Sequence, residues 1–184
     1  ILSTGSITVP NPYFPDKPST FMDWKAHRLV DLRRAIAVSS NVYFYEVAGG
    51  FKGQKGIGIS NIHTYTRMFG FGTTTGINFP GAKIGTTPNP EWKRENFDGE
   101  DWRVGDTYNT AIGQYGFQVT PVQVVSAVGA MANGGKLLVP KFTINEPTEI
   151  RGTVELDQNY FQIVSVNFKI KCWGYIFLVL HNKV

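Results

Sequence analysis

The sequence predicts one mainly helical domain with short strands at its edges, and two observations lead to this prediction. Apolar residues recur at helical spacing on both sides of a polar triplet, Ser39-Ser40-Asn41. Later in the chain, Thr120-Pro121-Val122-Gln123 has the sequence of a helix start. The chain has 184 residues, of which 42% are hydrophobic and 17% charged, so it can bury a core and is not disordered throughout.

The first part of the chain is predicted to be an extended lead-in. Residues 1–24 contain four prolines between positions 10 and 18, and a regular helix does not tolerate them. Apolar residues at Ile7 and Val9 and the aromatic pair Tyr13-Phe14 favour a short edge strand here.

Residues 31–50 predict two short helices with a polar break between them. The apolar positions with helical spacing are Leu32, Ala35 and Ile36 in the first half and Phe44, Val47 and Ala48 in the second. Serine and asparagine in the triplet favour helix caps, and Gly49-Gly50 ends the second helix. Ser39 and Asn41 can converge on one ligand only if the backbone leaves the helix between them. The alternative interpretation is that Ser39 or Ser40 merely caps a helix.

Three further elements are predicted from capping and periodicity. A helix is expected to begin at Ser60 or Asn61 and to end at Phe69. The capping box at Thr120 starts a helix whose expected apolar stripe consists of Val124, Ala127, Val128 and Met131. Residues 136–139 then read as a strand that Pro140 stops.

Several motifs are too weak or too incomplete to carry a function. Gly50-Phe51-Lys52-Gly53 fits the G-x-x-G clamp of some RNA-binding modules, but the net charge of +4 is scattered, so we expect no nucleic-acid partner. Lys83-Ile84-Gly85-Thr86 superficially resembles a catalytic K-[ST]-G motif, but isoleucine stands where the hydroxyl is needed. We interpret it as a decoy.

No metal or cofactor is predicted. Asp98, Glu100 and Asp101 are interpreted as a solvated turn, although a paired-carboxylate acid/base site is conceivable. The histidines lie too far apart in sequence for metal-ligand spacing with one another or with Cys172, the single cysteine.

Taken in order, the motifs resemble those of the class B penicillin-binding proteins, and most of all the elongation-type transpeptidases known as penicillin-binding protein 2. The resemblance covers roughly residues 19–161. The motifs that carry it are Ser39-x-Asn41, Phe69-Gly-Phe-Gly with Thr75-Gly-Ile-Asn-Phe-Pro-Gly81, Gly105-Asp106-Thr107, Ala111-Ile-Gly-Gln114, Thr120-Pro-Val-Gln123 and Ala132-Asn-Gly-Gly135.

The resemblance implies an α+β fold of the serine penicillin-binding and β-lactamase type, of which this chain holds mainly the helical half with edge strands. It implies a peptidoglycan D,D-transpeptidase that forms an acyl-enzyme through a serine. Ser39 would relay a proton, and Asn41 would orient the substrate amide; Gln114 and Gly116 belong to a structural signature. Peptidoglycan stem peptides and β-lactams are the implied ligands. The implied setting is an elongation complex, with the parent protein anchored in the inner membrane and its domain facing the periplasm.

The chain also departs from the family's pattern. No serine is followed by lysine three positions later, and no K-[ST]-G occurs. Because the nucleophile lies in S-x-x-K, we expect the chain alone to be inactive. A non-catalytic remnant or a penicillin-fold binding module is the alternative. Without the central strands, apolar helix faces would lack cover, so we also expect marginal stability.

The sequence changes character after Val164. We therefore divide the chain into a partial transpeptidase domain, residues 1–164, and a divergent tail, residues 165–184. A shifted reading frame is one hypothesis for the tail, and a genuine strand pair is the alternative, because residues 166–170 partly alternate. The chain starts at Ile1 without a basic-then-apolar leader, so it reads as an excerpt without a targeting segment.

Overall fold

The first part of the chain forms two antiparallel ribbons in this computed structural model, which describes residues 1–143 and 145–164. The strands are β1 (Leu2–Ser3), β2 (Ser6–Val9), β3 (Ser19–Met22) and β4 (Arg28–Leu29). β1 pairs with β4, and β2 pairs with β3. The predicted edge strand is correct for Ile7 and Val9. It is wrong for Tyr13 and Phe14, because the Asn11 side chain accepts hydrogen bonds from both backbone N–H groups and holds them in the connection after β2.

Two helices with a polar break follow, as predicted. The first is α1 (Leu32–Val38), whose N-terminus is capped by the Asp31 side chain accepting a hydrogen bond from Arg34 N at 2.7 Å. The second is α2 (Asn41–Gly49). Between them the chain leaves the helical conformation at Ser39.

The described residues belong to two units. Among the described residues, one contains Ile1–Tyr43 together with residues 156–164, and the other contains Phe44–Glu155 apart from residue 144. In the first unit, residues 158–164 are helical, and Ile7, Val30, Ala35, Val42 and Phe161 are among the buried apolar side chains.

The second unit contains four further helices and one ribbon within the described residues. These are α3 (Gly58–Met68), α4 (Pro90–Asn96), α5 (Val104–Ala111) and α6 (Pro121–Ala132), with β5 (Lys136–Leu138) paired to β6 (Ile150–Thr153). The predicted end of α3 is correct, but its predicted start at Ser60 or Asn61 is wrong. The helix begins earlier, and Asn61 Nδ2 donates to Ile57 O four residues back, which is a bond within the helix and not a cap.

Sequence periodicity did not predict α4 and α5, because they are short and carry polar residues on most positions. α4 is set by its N-terminus, where Asn89 accepts a hydrogen bond from Trp92 N and Pro90 takes the first helical position. α5 begins with a capping box, in which the Asp106 carboxylate accepts a hydrogen bond from Arg103 N.

The capping box of α6 is confirmed, because Thr120 Oγ1 accepts from Gln123 N and Gln123 Oε1 accepts from Thr120 N. The predicted apolar stripe is wrong in part. Ala127 is buried, but Val124 and Val128 are 41% and 45% exposed. The buried face consists of Gln123, Ser126, Ala127 and Ala130.

Gln123 explains why the buried face of α6 differs from the predicted apolar stripe. Its Nε2 donates to Thr73 O at 2.9 Å and to Ile84 O at 2.7 Å, so a polar side chain takes a core position with its hydrogen bonds satisfied. The predicted strand after α6 is confirmed to within one residue. The predicted strand pair at residues 166–170 lies outside the described residues.

Candidate functional site

Ser39 lies at the break between α1 and α2 in the left-handed conformation, with φ 55° and ψ 52°. Its backbone N–H points back to Ala35 O and Ile36 O and thereby ends α1. A residue with a Cβ atom is disfavoured in this conformation by about 1–2 kcal/mol. The Ser39 side chain is exposed, and its hydroxyl makes no hydrogen bond within the described residues. The break therefore presents a free hydroxyl on a strained backbone.

Asn41 is the first residue of α2, two positions after Ser39. Its side chain is partly buried, and Nδ2 donates to Met22 O at 3.3 Å. Within the described residues, Oδ1 and the second N–H of this amide have no hydrogen-bond partner. The structure thus confirms that the backbone leaves the helix between Ser39 and Asn41, which was the condition for both to serve one ligand.

Ser40, the middle residue of the triplet, is fully buried and points into a polar network. Its Oγ donates to Asp23 Oδ2 at 2.9 Å and lies 3.2 Å from Ser3 Oγ, which in turn contacts Asp23 Oδ2 at 3.3 Å. The backbone N–H of Val42 donates to the same Asp23 oxygen at 3.0 Å. The alternative interpretation of a helix cap is therefore correct for both serines, because Ser39 is the C-cap of α1 and Ser40 Oγ accepts from Tyr43 N at the start of α2.

Asp23 is ionised in this setting. Burial alone would raise the pKa of its carboxyl group, but hydrogen bonds from backbone N–H groups, Val42 first, and from the Ser40 hydroxyl outweigh burial and lower the pKa. Sequence reasoning missed this role of Asp23, because a buried carboxylate and a surface carboxylate look alike in one sequence. The only local signal is the apolar pair Met22 and Trp24 on either side.

An aspartate, a histidine and serines in one cluster invite comparison with a nucleophilic triad. His27 Nε2 lies 3.7 Å from Asp23 Oδ1, and the His27 ring packs edge-on against Trp24 at a centroid distance of 4.7 Å. However, Ser40 bonds the carboxylate and not the imidazole, and its side chain is buried away from any substrate. Such a cluster supports the backbone and does not attack a carbonyl.

The two decoy motifs have structural explanations. In the Gly50–Gly53 segment, the N–H groups of Phe51 and Gln54 each donate to the other residue's carbonyl, which makes a tight turn. In the Lys83–Thr86 segment, Thr86 exchanges two backbone hydrogen bonds with Gln118. These backbone hydrogen bonds account for the local conformation of both segments.

Two of the three acidic residues after α4, Glu100 and Asp101, are paired with cations. Lys93 Nζ, whose side chain is 3% exposed, lies 2.7 Å from Asp106 Oδ2 and 3.4 Å from Glu100 Oε2. Burial would lower the pKa of Lys93, but Asp106 and Glu100 outweigh burial and raise it. Asp101 pairs with Arg94 at 3.1 Å. Over residues 1–143 and 145–164, no three His, Cys, Asp or Glu side chains form a group that could hold a metal ion.

The remaining motifs of the resemblance have packing roles. A Cβ atom on Gly116 would lie 2.2 Å from the Trp92 ring, so only glycine fits there, in line with the structural role predicted for it. Tyr108 is buried beside Gly49 at the end of α2, and its hydroxyl donates to Gly50 O at 2.6 Å. These contacts fix the second half of α2.

The sequence profile of the penicillin binding protein transpeptidase domain matches residues 4–166. The chain belongs to this family. The peptidoglycan D,D-transpeptidase MrdA of Acinetobacter baumannii is 36% identical over 130 residues, which are 70% of this chain and 18% of that protein. The chain spans about a fifth of the length of the curated relatives it matches.

Solved structures confirm the predicted fold class. The penicillin-binding protein PBP2 from Helicobacter pylori matches with a TM-score of 0.74 and 34% identity over 94% of this chain and 32% of that chain. A complex between PBP2 and MreC from the same organism matches with a TM-score of 0.70 and 33% identity over 91% of this chain and 30% of that chain. The chain is thus a part of the α+β transpeptidase fold, consisting mainly of helices with short ribbons.

Proposed function

We propose that the protein to which this chain belongs is a D,D-transpeptidase of cell-wall elongation that cross-links peptidoglycan through a serine acyl-enzyme. The observation that carries the proposal is the break at Ser39. A left-handed serine with a free, exposed hydroxyl stands two positions before Asn41, the first residue of helix α2, in a chain of the transpeptidase family. Strain of this kind persists only where the surrounding contacts enforce it, and it clusters at functional sites.

Ser39 and Asn41 supply the middle of three contributions to the reaction. A hydroxyl both donates and accepts a hydrogen bond, so Ser39 can pass a proton while the acyl-enzyme forms. The Asn41 amide is fixed by its bond to Met22 O, and its free Oδ1 and N–H can hold a substrate amide. Peptidoglycan stem peptides and β-lactams are the proposed ligands, since both present an amide carbonyl for acylation.

The 184 residues contain neither S-x-x-K nor K-[ST]-G, so we propose that the chain by itself forms no acyl-enzyme. The second candidate, a non-catalytic remnant or binding module, is favoured by the same observation. The transpeptidase and the remnant differ in whether Ser39 and Asn41 support acylation once S-x-x-K and K-[ST]-G are supplied by another chain.

Residues 1–164 as a partial transpeptidase domain and residues 165–184 as a divergent tail remain a proposal. The end of the family match at residue 166 supports it. Sequencing across the codons for Val164 and Ser165 tests the shifted-frame hypothesis, because an intact gene that encodes the tail as its normal product would contradict it.

The setting is also proposed from relatives. The H. pylori complex of PBP2 with MreC supports a place in an elongation complex. The peptidoglycan named in the description of the MrdA relative supports the proposal of an inner-membrane protein with its domain in the periplasm. Among the described helices, none has both the length and the apolar character needed to cross a bilayer.

A chimaera tests the proposal. Residues 4–164 of this chain replace the structurally matched segment of H. pylori PBP2, and intact-mass spectrometry follows adduct formation with benzylpenicillin. We expect one adduct, and we expect Ser39→Ala to slow acylation by about 100-fold, the usual size of a proton-transfer contribution. Ser60→Ala, at an exposed serine of α3, is the matched control and should acylate at the parent rate. A folded chimaera without an adduct favours the remnant.

A further inference from the structure

We propose that Met22-Asp23-Trp24 is a positioning segment that holds Ser39-Ser40-Asn41 in its non-helical conformation and leaves the reacting atoms free. This inference deepens the proposed function and rests on it for its catalytic meaning. The contacts between the two segments involve only residues of the first unit, so they can be tested without measuring catalysis.

Each residue of Met22-Asp23-Trp24 makes a hydrogen bond with one residue of Ser39-Ser40-Asn41, and the two segments run antiparallel in this pairing. Met22 O accepts from Asn41 Nδ2 at 3.3 Å, and Trp24 Nε1 donates to Ser39 O at 3.0 Å. Between these two contacts, Asp23 Oδ2 accepts from Ser40 Oγ at 2.9 Å. Three consecutive residues of one segment thus each hold one residue of the motif.

Asp23 is the centre of this arrangement. Its Oδ2 also accepts the backbone N–H of Val42, one of the first N–H groups of α2, which have no partner within the helix. A buried carboxylate at a helix N-terminus is stabilised by these donors and by the helix dipole. Its Oδ1 accepts from Trp24 N at 2.8 Å, which fixes the start of the indole that reaches Ser39. One carboxylate therefore sets where α2 begins and where Trp24 points.

The atoms of Ser39, Ser40 and Asn41 that the segment binds, and those that it leaves unbound, indicate that it positions the motif and does not merely stabilise the fold. The segment binds the carbonyl of Ser39, the hydroxyl of Ser40 and a single N–H of Asn41. It leaves unbound the Ser39 hydroxyl and the rest of the Asn41 amide, which are the groups that the proposed reaction needs. The left-handed conformation of Ser39 persists only if its surroundings enforce it, and these contacts do so.

The first experiment uses the whole chain and NMR. In Asp23→Ala we expect amide exchange at Val42 to accelerate by at least about ten-fold, since its acceptor is lost, and the Trp24 indole and Ser39 backbone signals to shift. Asp31→Ala is the matched control, because it also removes a carboxylate that caps a helix, here α1. It should lower the melting temperature without moving those signals. If Asp23→Ala does not fold, Asp23→Asn, which keeps the shape of the side chain, provides the same measurements. Trp24→Phe removes the indole N–H that donates to Ser39 O and is read at the Ser39 backbone signals alone.

The second experiment uses the PBP2 chimaera described above. We expect Asp23→Asn to slow acylation by at least about ten-fold with little change in initial drug affinity, while Asp31→Ala keeps the parent rate. The proposal is overturned if the Asp23 variants change the melting temperature but leave the Ser39 and Trp24 signals in place, or if acylation is unchanged. A chimaera that fails to acylate with Asp23 intact counts against the proposed function alone, because the NMR result still decides the positioning role.

Discussion

Replacing Ser39 with glycine is expected to make the chain more stable and the site inactive. Ser39 stands at φ 55° and ψ 52°, where a Cβ atom is crowded and glycine is not. The side chain contributes little to the fold, because its hydroxyl is exposed and has no hydrogen-bond partner within the described residues. Four other non-glycine residues among those described also have positive φ, so the functional argument for Ser39 rests on its place in the S-x-N motif together with this strain.

The expected magnitude follows from two opposing terms. Relief of the left-handed conformation stabilises the folded state by about 1–2 kcal/mol. The greater freedom of glycine in the unfolded chain takes back about 0.5–1 kcal/mol. At their midpoints the two terms raise the free energy of unfolding by about 0.75 kcal/mol, within limits of about 0–1.5 kcal/mol. For a chain of this size the midpoint value raises the melting temperature by about 1.5–3 °C.

Urea unfolding and thermal melting of the parent chain, Ser39→Gly and Ser39→Ala give the comparison. Ser39→Ala is the matched variant, because it removes the hydroxyl but keeps the Cβ atom, and its stability should stay close to that of the parent. In the PBP2 chimaera both variants should lose acylation to a similar extent. A Ser39→Gly chain that is no more stable than Ser39→Ala would refute the argument from strain.

Three other predictions concern the contacts that hold the helices. Gly49→Ala should destabilise the chain by about 1–3 kcal/mol in urea unfolding, because the new Cβ atom would lie 2.4 Å from the buried Tyr108 ring; an unchanged midpoint would contradict this. Asp106→Ala should lower the free energy of unfolding by about 3 kcal/mol, since it leaves Lys93 buried without its 2.7 Å partner. A decrease of less than about 1 kcal/mol, the size expected for an exposed ion pair, would contradict a stabilising role of the Lys93–Asp106 pair. The pKa of Asp23 in the folded chain lies below its ordinary value of 3.8, so the ionised carboxylate stabilises the fold fully above pH 3.8 and loses this effect as the pH falls through the folded pKa. The difference in free energy of unfolding between the parent and Asp23→Asn should therefore be constant near neutral pH and should shrink in acid.

Local chemistry made part of the fold predictable. The two helices with a break at Ser39 follow from short apolar repeats and from residues that compete with the helix for hydrogen bonds. The start of α6 follows from Thr120 and Gln123, whose reciprocal bonds form within four residues of chain. In each case the sequence signal and the structural cause lie in the same short segment.

The rest depends on contacts between residues far apart in the chain. Asp23 lies 17 residues from Ser40 and Gln123 lies 50 from Thr73, so neither partner can be read from local patterns. The buried face of α6 was predicted from apolar spacing alone, and Gln123 takes a core position because distant carbonyls satisfy it. The candidate residues Ser39 and Asn41 were found through the family resemblance, whereas the segment that holds them was not.

Intact-mass spectrometry of the isolated 184-residue chain with benzylpenicillin, run beside the chimaera under the same conditions, shows whether acylation needs the two motifs that the chain lacks. We expect the chain to stay at its unmodified mass while the chimaera gains one drug molecule, because the chain supplies Ser39 and Asn41 without S-x-x-K and K-[ST]-G. A covalent adduct on any serine of the isolated chain would contradict this expectation.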